Sequence, residues 1–157
     1  MEEQFKVHLS DLAATRALAA RLAQALRPGD VVLLEGPLGA GKSEFARALL
    51  RAATADPDLE VPSPSFTLVQ HYDLPGHLGP AWHFDLYRLH SPEEVTELGW
   101  EEARQGVALV EWPDRLGPLA PEGALRIALA PGAGEEEREA VLSGWPAARL
   151  APLVLAP

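Results

Sequence analysis

The sequence predicts an α/β domain with a mainly parallel central sheet, some antiparallel strands and helices on both faces of the sheet. Val31–Glu35 and residues 107–110 are short, almost continuous apolar runs, which is typical of strands buried on both sides of a parallel sheet. Segments rich in Ala and Leu flank the first run and have the length of helices. The 157 residues contain no internal repeat and no linker-like stretch, so we expect one domain over residues 1–157.

The segments before the first buried run predict a strand, a helix and a turn. Phe5–Leu9 alternates between apolar and polar residues, as a half-buried strand does. Ser10 has the chemistry of an N-cap for a helix over residues 11–26. Residues 28–30, Pro-Gly-Asp, predict a turn that leads into the buried strand.

The middle of the chain predicts a loop followed by a hairpin. A second helix follows the first buried strand to about Ala53, and residues 54–64 have the composition of a loop. Residues 66–72 and 81–84 are strand-like, and a Gly/Pro-rich turn separates them. We therefore expect these two strands to pair with each other.

Beyond the hairpin the predictions become less complete. Ser91 and Pro92 mark the start of a short helix, because serine suits the N-cap and proline suits the first helical position. Residues 124–130 read as a strand, and residues 135–142 fit either its antiparallel partner or a helix. The tail from Trp145 is too rich in Pro and Ala to assign.

The clearest motif joins the first buried strand to the helix after it. Gly36, Gly41, Lys42 and Ser43 fit G-x-x-x-x-G-K-[ST], the phosphate-binding P-loop, so the predicted fold is P-loop NTPase-like. Glycines let the backbone curl around an anion, and the helix presents its positive dipole end to the phosphates. The lysine reaches the β- and γ-phosphates, and the serine hydroxyl binds Mg²⁺. We expect nucleotide contacts from Gly36, Leu38, Gly39, Ala40, Gly41, Lys42 and Ser43.

Two acidic residues follow predicted strands. Asp85 comes directly after residues 81–84, and Glu111 comes directly after residues 107–110. In open α/β sheets the ligand lies at the carboxyl ends of the strands, so both acids should lie near the P-loop. One of them would hold Mg²⁺, directly or through water, and the other would polarise the attacking water. The alternative for each is a solvated carboxylate, and the spacing does not assign the two roles.

Three further positions are candidates with open alternatives. Ser65 lies in the segment Ser-Pro-Ser-Phe-Thr, where a switch-like loop would bring a hydroxyl to the γ-phosphate or the metal. The same segment also fits a turn made rigid by its proline. Arg88, close to Asp85, either stabilises charge in the transition state or pairs with a nearby glutamate. Trp112 either packs over the site or closes the core.

Composition and missing motifs exclude several classes of function. The net charge of −10 makes the chain a poor nucleic-acid binder on its own, and the absence of cysteine excludes thiol chemistry. The lysines are Lys6 and Lys42, so no [NT]-K-x-D guanine motif exists and ATP is favoured over GTP. The sequence has neither a signal pattern nor an apolar run long enough for a membrane, and we expect a cytoplasmic protein.

Several motifs together resemble one family. Residues 34–47, 63–69, 83–89 (HFDLYRL) and 110–113 (VEWP) occur in the order and spacing of the TsaE (YjeE) family of small bacterial P-loop ATPases. The resemblance extends from about Leu9 to Arg115. It is specific, since HFDLYRL and EWP occur together in this family.

The resemblance implies a function and a set of site residues. It implies a Mg²⁺-dependent ATPase, slow when alone, that acts with the TsaB–TsaD complex. The product is the threonylcarbamoyl group on adenosine 37 of tRNAs reading ANN codons, and the tRNA is held mainly by the partners. Residues carried over by position are Lys42 and Ser43 for phosphate and Mg²⁺, Asp85 and Glu111 as essential acids with Glu111 a metal ligand, Ser65 as the switch hydroxyl, and Trp112 as the family's tryptophan.

The chain departs from the family pattern in places, and two rival functions stay open. Pro37 stands where the family usually has Asp, Ser43 and Ser65 often appear as Thr, and the part beyond Arg115 matches loosely. Position 37 lies at the outer bend of the loop, and a serine hydroxyl binds Mg²⁺ as a threonine hydroxyl does. The rivals are a small kinase that phosphorylates a metabolite and an interaction module that binds ATP without needing to hydrolyse it.

Overall fold

The computed structural model describes residues 4–62, 67–76 and 78–154. Within them the strands are β1 Phe5–Leu9, β2 Val31–Glu35, β3 Val69–Asp73, β4 Pro80–Asp85, β5 Val107–Glu111, β6 Leu125–Pro131 and β7 Arg138–Ser143. The helices are α1 Leu12–Ala25, α2 Lys42–Thr54, α3 Pro92–Glu97, α4 Trp100–Ala103 and α5 Ala147–Val154, with a 3₁₀ segment Pro113–Leu119. No helix in these described ranges combines the length and the apolar character needed to cross a membrane.

All of these strands join one sheet in the order β1-β7-β6-β2-β5-β4-β3. The four central strands β6, β2, β5 and β4 run parallel to one another. Both edges are antiparallel: β3 pairs with β4, and β7 pairs with β6 and β1. The predicted α/β fold with a parallel centre and some antiparallel strands is therefore confirmed, and its antiparallel strands lie at the two edges.

Alternate residues of the central strands enter two separate cores, which confirms helices on both faces. In β2, Val32 and Leu34 belong to the core that includes residues of α1, α2 and α5. Val31 and Leu33 belong to the other core, which α3, α4 and the 3₁₀ segment cover. A strand covered on both faces has no polar side to show, and this explains the unbroken apolar run that predicted it.

Helix α1 begins one residue later than the sequence predicted. The N-cap is Asp11, not Ser10, and its carboxylate accepts a hydrogen bond from the Ala14 backbone N–H at 2.8 Å. Both residue types are good caps, and the one that adopts the extended backbone and reaches the first turn takes the role. At α3, Ser91 occupies the predicted N-cap position and Pro92 the first helical position.

The C-terminal part completes the fold in two ways that the sequence left open. Of the two alternatives for residues 135–142, the strand is correct, since Arg138–Ser143 pairs with both β6 and β1. The tail that carried no assignment forms α5, with Leu150 and Leu153 buried against the core that α1 and α2 share. Arg149 anchors it, because its guanidinium bonds to the Asp30 carboxylate at 2.8 Å.

Candidate functional site

The loop between β2 and α2 has the backbone that a P-loop requires. Gly36, Gly39 and Gly41 have backbone φ angles of 146°, 82° and 98°, which residues other than glycine rarely adopt. Gly36 is also confined by space, because an added Cβ would lie 2.5 Å from the Leu129 carbonyl oxygen of β6. The loop therefore needs its glycines for curvature and for close contact with the neighbouring strand.

Most of the predicted site residues meet in one cleft of about 330 Å³ at the start of α2. The cleft is lined by Leu38, Gly39, Gly41, Lys42, Ser43, Asp85, Glu111 and Trp112, together with Tyr87, Arg88 and Arg138. Ala40 is instead buried beneath the loop in the core, and Gly36 borders a neighbouring cleft. Ser65 lies outside the described residues, so its role stays a prediction.

Lys42 is held inside the loop by two contacts. Its ammonium donates a hydrogen bond to the Gly36 carbonyl and lies 3.4 Å from the centroid of the Trp112 ring. Burial lowers the pKa of Lys42, while the negative charges of Glu111, Asp85 and Asp114 act in the opposite direction. A desolvated ammonium surrounded by carbonyl, ring and carboxylate groups is suited to receive an anion.

The two predicted acids lie side by side at the carboxyl ends of β4 and β5. Asp85 and Glu111 are register partners, and both are buried. Glu111 Oε1 accepts a hydrogen bond from the Ser43 hydroxyl at 3.3 Å, while Asp85 Oδ1 accepts one from the Tyr87 backbone N–H at 3.1 Å. The parallel pairing of β4 with β5 thus brings both carboxylates to the P-loop, as the carboxyl-end rule predicts.

His83 is part of the same arrangement, although the sequence assigned it no role. Its Nε2 lies 2.7 Å from Glu111 Oε2, and the two side chains are 2% and 3% exposed. His83 precedes Asp85 by two residues in β4, so both side chains point to the same face of the sheet. That period of two is the sequence signal that would have identified it.

The donor set fits a hard cation such as Mg²⁺. A hydroxyl and two carboxylates converge on the cleft, and Mg²⁺ prefers such oxygen ligands. Among the described residues no group of three or more His, Asp or Glu side chains forms a metal cage. Mg²⁺ in nucleotide sites is usually held by one or two protein groups together with phosphates and water, so the residues present fit that ion.

Trp112 packs over the site and also against the core, so both alternatives for this residue apply. Its backbone adopts the left-handed conformation with φ 60° and ψ 55°, an uncommon geometry for a bulky residue. The ring faces Lys42 and lies 4.9 Å from the Tyr87 ring, while its other contacts are with the core beneath α3 and α4. The strained turn directly after Glu111 therefore places an aromatic wall on the cleft.

A second cleft of about 290 Å³ adjoins the first at Gly41, Glu44 and Arg138. Its remaining walls are Leu12 and Thr15 of α1, Leu129 of β6, and Glu135 and Glu136 before β7. Thr15 thus turns from the first turn of α1 into the cleft, while Asp11 caps the helix.

Comparison with known proteins agrees with this geometry. Residues 9–140 match the family model described as "Threonylcarbamoyl adenosine biosynthesis protein TsaE". The chain is 34% identical to a protein named tRNA threonylcarbamoyladenosine biosynthesis protein TsaE from a Nostoc species, over 91% of this chain and 88% of that protein. The protein of the same name from Bacillus subtilis is 39% identical, over 80% and 76% of the two chains.

A Rickettsia felis relative with the same name is 46% identical over 64% of this chain, and the match covers 57% of the relative. The crystal structure of Bacillus subtilis YdiB superimposes with a TM-score of 0.74 and 30% identity, covering 97% of this chain and 93% of that one. The family model and the fold thus agree over nearly the whole chain. The chain belongs to the TsaE family.

Proposed function

We propose that this protein is a Mg²⁺-dependent ATP hydrolase that acts with the TsaB–TsaD complex in forming threonylcarbamoyladenosine at position 37 of tRNA. The observation that carries the proposal is the convergence of Lys42, Ser43 and Glu111 at the start of α2, with the Ser43 hydroxyl 3.3 Å from the Glu111 carboxylate. A lysine, a hydroxyl and a strand-end acid in this relation are the parts that P-loop NTPases use. Membership of the TsaE family supports the role in tRNA modification.

The residues of the loop and of α2 would bind the triphosphate. Backbone N–H groups from Gly39 to Ser43 supply a positive concavity, and the Lys42 ammonium moves from the Gly36 carbonyl to the phosphate oxygens. Bound Mg²⁺ would neutralise charge on the β- and γ-phosphate oxygens. Burial disfavours the charged form of Lys42. A bound phosphate would stabilise the ammonium again, because its negative charge lies close by.

The two acids, Glu111 and Asp85, are proposed to have different roles in metal binding and in orienting water. Glu111 is proposed to hold Mg²⁺ together with Ser43, because one of its oxygens already lies beside the Ser43 hydroxyl. Asp85 is proposed to orient the attacking water or to contact the metal through water, and the Tyr87 N–H fixes one of its oxygens. Catalysis of this kind consists of positioning and charge neutralisation, with little covalent chemistry from the protein.

The second cleft is proposed to hold the adenosine part of ATP. It begins at Gly41 and Glu44, which stand on either side of Lys42 and Ser43 in the chain, and neither Asp85 nor Glu111 lines it. Leu12 and Leu129 offer apolar contacts to a base, while Thr15 and Glu135 offer hydrogen-bonding groups. An ATP molecule would then lie across Gly41, with its phosphates in the first cleft.

Partner proteins are proposed to complete the site. Leu38 and Tyr87 are large apolar side chains that remain 75% and 50% exposed, and both line the nucleotide cleft. Exposed apolar groups at the mouth of a site suit burial by a partner. The net charge of −10 disfavours direct binding of tRNA, so we propose that the tRNA is held by TsaB–TsaD.

The test measures release of phosphate from ATP by wild type, Lys42→Ala and Glu111→Ala, each with and without the partner pair. We expect slow turnover by wild type alone, faster turnover with the partners, and loss of both in the two variants. Equal turnover by wild type and Lys42→Ala would refute the proposal. Phosphate found on a metabolite would support a kinase, and complementation by a variant that binds but does not hydrolyse ATP would support a nucleotide-gated interaction module.

A further inference from the structure

His83 and Glu111 form a buried pair directly beneath the nucleotide cleft. The two side chains are 2% and 3% exposed, and the distance between His83 Nε2 and Glu111 Oε2 is 2.7 Å. When the Glu111 carboxylate is ionised it can only accept hydrogen bonds, and His83 Nε2–H is then the donor. Glu111 is one of the two strand-end acids, whereas His83 belongs neither to the P-loop nor to those acids.

The contact arises from the register of two parallel strands. His83 is paired in register with Leu109, and Asp85 two residues later is paired with Glu111. Because His83, Asp85, Leu109 and Glu111 alternate with residues of the other core, all four side chains face α2. His83 is therefore the diagonal neighbour of Glu111 on the face that carries the P-loop helix.

The two oxygens of the Glu111 carboxylate have different neighbours, one in the protein interior and one at the nucleotide cleft. Oε2 is bonded to His83, while Oε1 lies 3.3 Å from the Ser43 hydroxyl. Without His83, Oε2 would lose this hydrogen bond, and the carboxylate would be free to rotate away from Ser43. A hydrogen bond to one oxygen thus determines where the other oxygen points.

The other ring nitrogen of His83 makes no hydrogen bond within the described part of the chain that would explain why a histidine is present. This nitrogen, Nδ1, is buried and has no hydrogen-bond partner among the described residues. An apolar residue of similar size would fill this position in the core without leaving a polar atom unsatisfied, so packing alone does not explain a histidine here. The bond to Glu111 is the interaction that accounts for it.

We propose that His83 is a positioning residue for the metal site: its Nε2–H holds the Glu111 carboxylate in the orientation that presents Oε1 to Ser43 and to the bound cation. This inference rests on the proposed function, since it assumes that Glu111 and Ser43 hold Mg²⁺. Hydrogen bonds to ligating carboxylates orient them in this way, and loss of such a bond typically lowers metal affinity by about 10- to 100-fold.

The test compares His83→Gln with His83→Asn, two amides that differ only in reach. The glutamine amide extends to the position of Nε2 and keeps the donor, whereas the asparagine amide is too short to bond Glu111. Binding of Mn²⁺ to the protein–ADP complex is measured by electron paramagnetic resonance, and binding of ADP without metal is measured by fluorescence. His71→Gln is the control, because His71 is exposed on β3 and packs on Trp82 on the opposite face.

We expect His83→Asn to weaken Mn²⁺ binding by about 10- to 100-fold, with His83→Gln within about threefold of wild type and metal-free ADP binding unchanged in all variants. Equal Mn²⁺ affinity in wild type and His83→Asn would overturn the inference while leaving the proposed function intact. Equal losses of Mn²⁺ affinity in His83→Asn and His83→Gln would also overturn it. Such a result would mean that a packing defect, and not the lost hydrogen-bond donor, weakens metal binding. If wild type itself fails to bind Mn²⁺ with ADP, the proposed function fails and the inference with it.

Discussion

Among the described residues, two histidine–glutamate pairs differ in their surroundings and therefore in their consequences. His83 and Glu111 join two central strands and are almost fully buried. His8 and Glu137 join strand β1 to the segment before β7 at the sheet edge, and their side chains are 52% and 27% exposed. The same two functional groups thus occur once beneath the cleft and once in water.

Exposure decides what each pair contributes. At the edge, water and salt screen the charges, and either side chain can exchange its partner for water when the pair breaks. Beneath the cleft, no water replaces a lost partner, so removal of one group leaves the other buried and unsatisfied. The buried pair therefore constrains geometry, while the edge pair adds at most a small, condition-dependent stabilisation.

The largest expected difference between the pairs is in catalysis. Glu111→Gln keeps the volume of the side chain but removes the charge that the proposed metal requires, and we expect ATP turnover to fall by roughly 100-fold or more. Glu137→Gln makes the same chemical change in the exposed pair, and we expect turnover within about twofold of wild type. Phosphate release measured in the presence of the partner pair compares the two, and similar losses in both variants would contradict the distinction.

The second difference is in stability. His83→Leu leaves the Glu111 carboxylate buried without its donor, and we expect it to lower the free energy of unfolding by ~3–5 kcal/mol. His8→Leu leaves Glu137 in contact with water, so at alkaline pH its urea midpoint should be indistinguishable from that of wild type. Urea unfolding followed by circular dichroism gives both values. A His83→Leu variant as stable as wild type would show that the buried carboxylate takes up a proton or another partner.

The parts of this molecule that the sequence predicted are those that local chemistry determines. The P-loop requires glycines at positive φ, and a strand covered on both faces requires an apolar run such as Val31–Glu35. The acids Asp85 and Glu111 were found because each directly follows such a strand. Each of these signals lies within a few consecutive residues.

The parts that the sequence did not predict depend on which segments meet. The spacing of two places His83 on the same face as Asp85, but the His83–Glu111 contact also requires the register of β4 against β5, which that spacing does not determine. Likewise, Arg138–Ser143 is a strand because β1 and β6 pair with it on either side. Helix α5 contains Pro152, which disfavours a helix locally, and burial of Leu150 and Leu153 outweighs that preference.

The smallest expected effect is the pH dependence of the exposed pair, and its sign follows from two pKa shifts. The hydrogen bond to Glu137 raises the pKa of His8, assisted by the charges of Glu137 and Glu139, and the same bond lowers the pKa of Glu137. A raised histidine pKa stabilises the fold fully below its ordinary value of 6.5, and this stabilisation is lost as the pH rises through the higher folded value. A lowered glutamate pKa stabilises the fold above its ordinary value of 4.5, and this is lost as the pH falls through the lower folded value.

The pair should therefore stabilise the fold most between pH 4.5 and 6.5, and its contribution should disappear at alkaline pH as His8 loses its proton. Melting temperatures of wild type and His8→Gln, measured from pH 4 to pH 9, should differ in that interval and converge above it. Because the pair is exposed, 1 M NaCl should reduce the difference. A difference that is largest at alkaline pH, or that is unaffected by salt, would contradict this account of the edge pair.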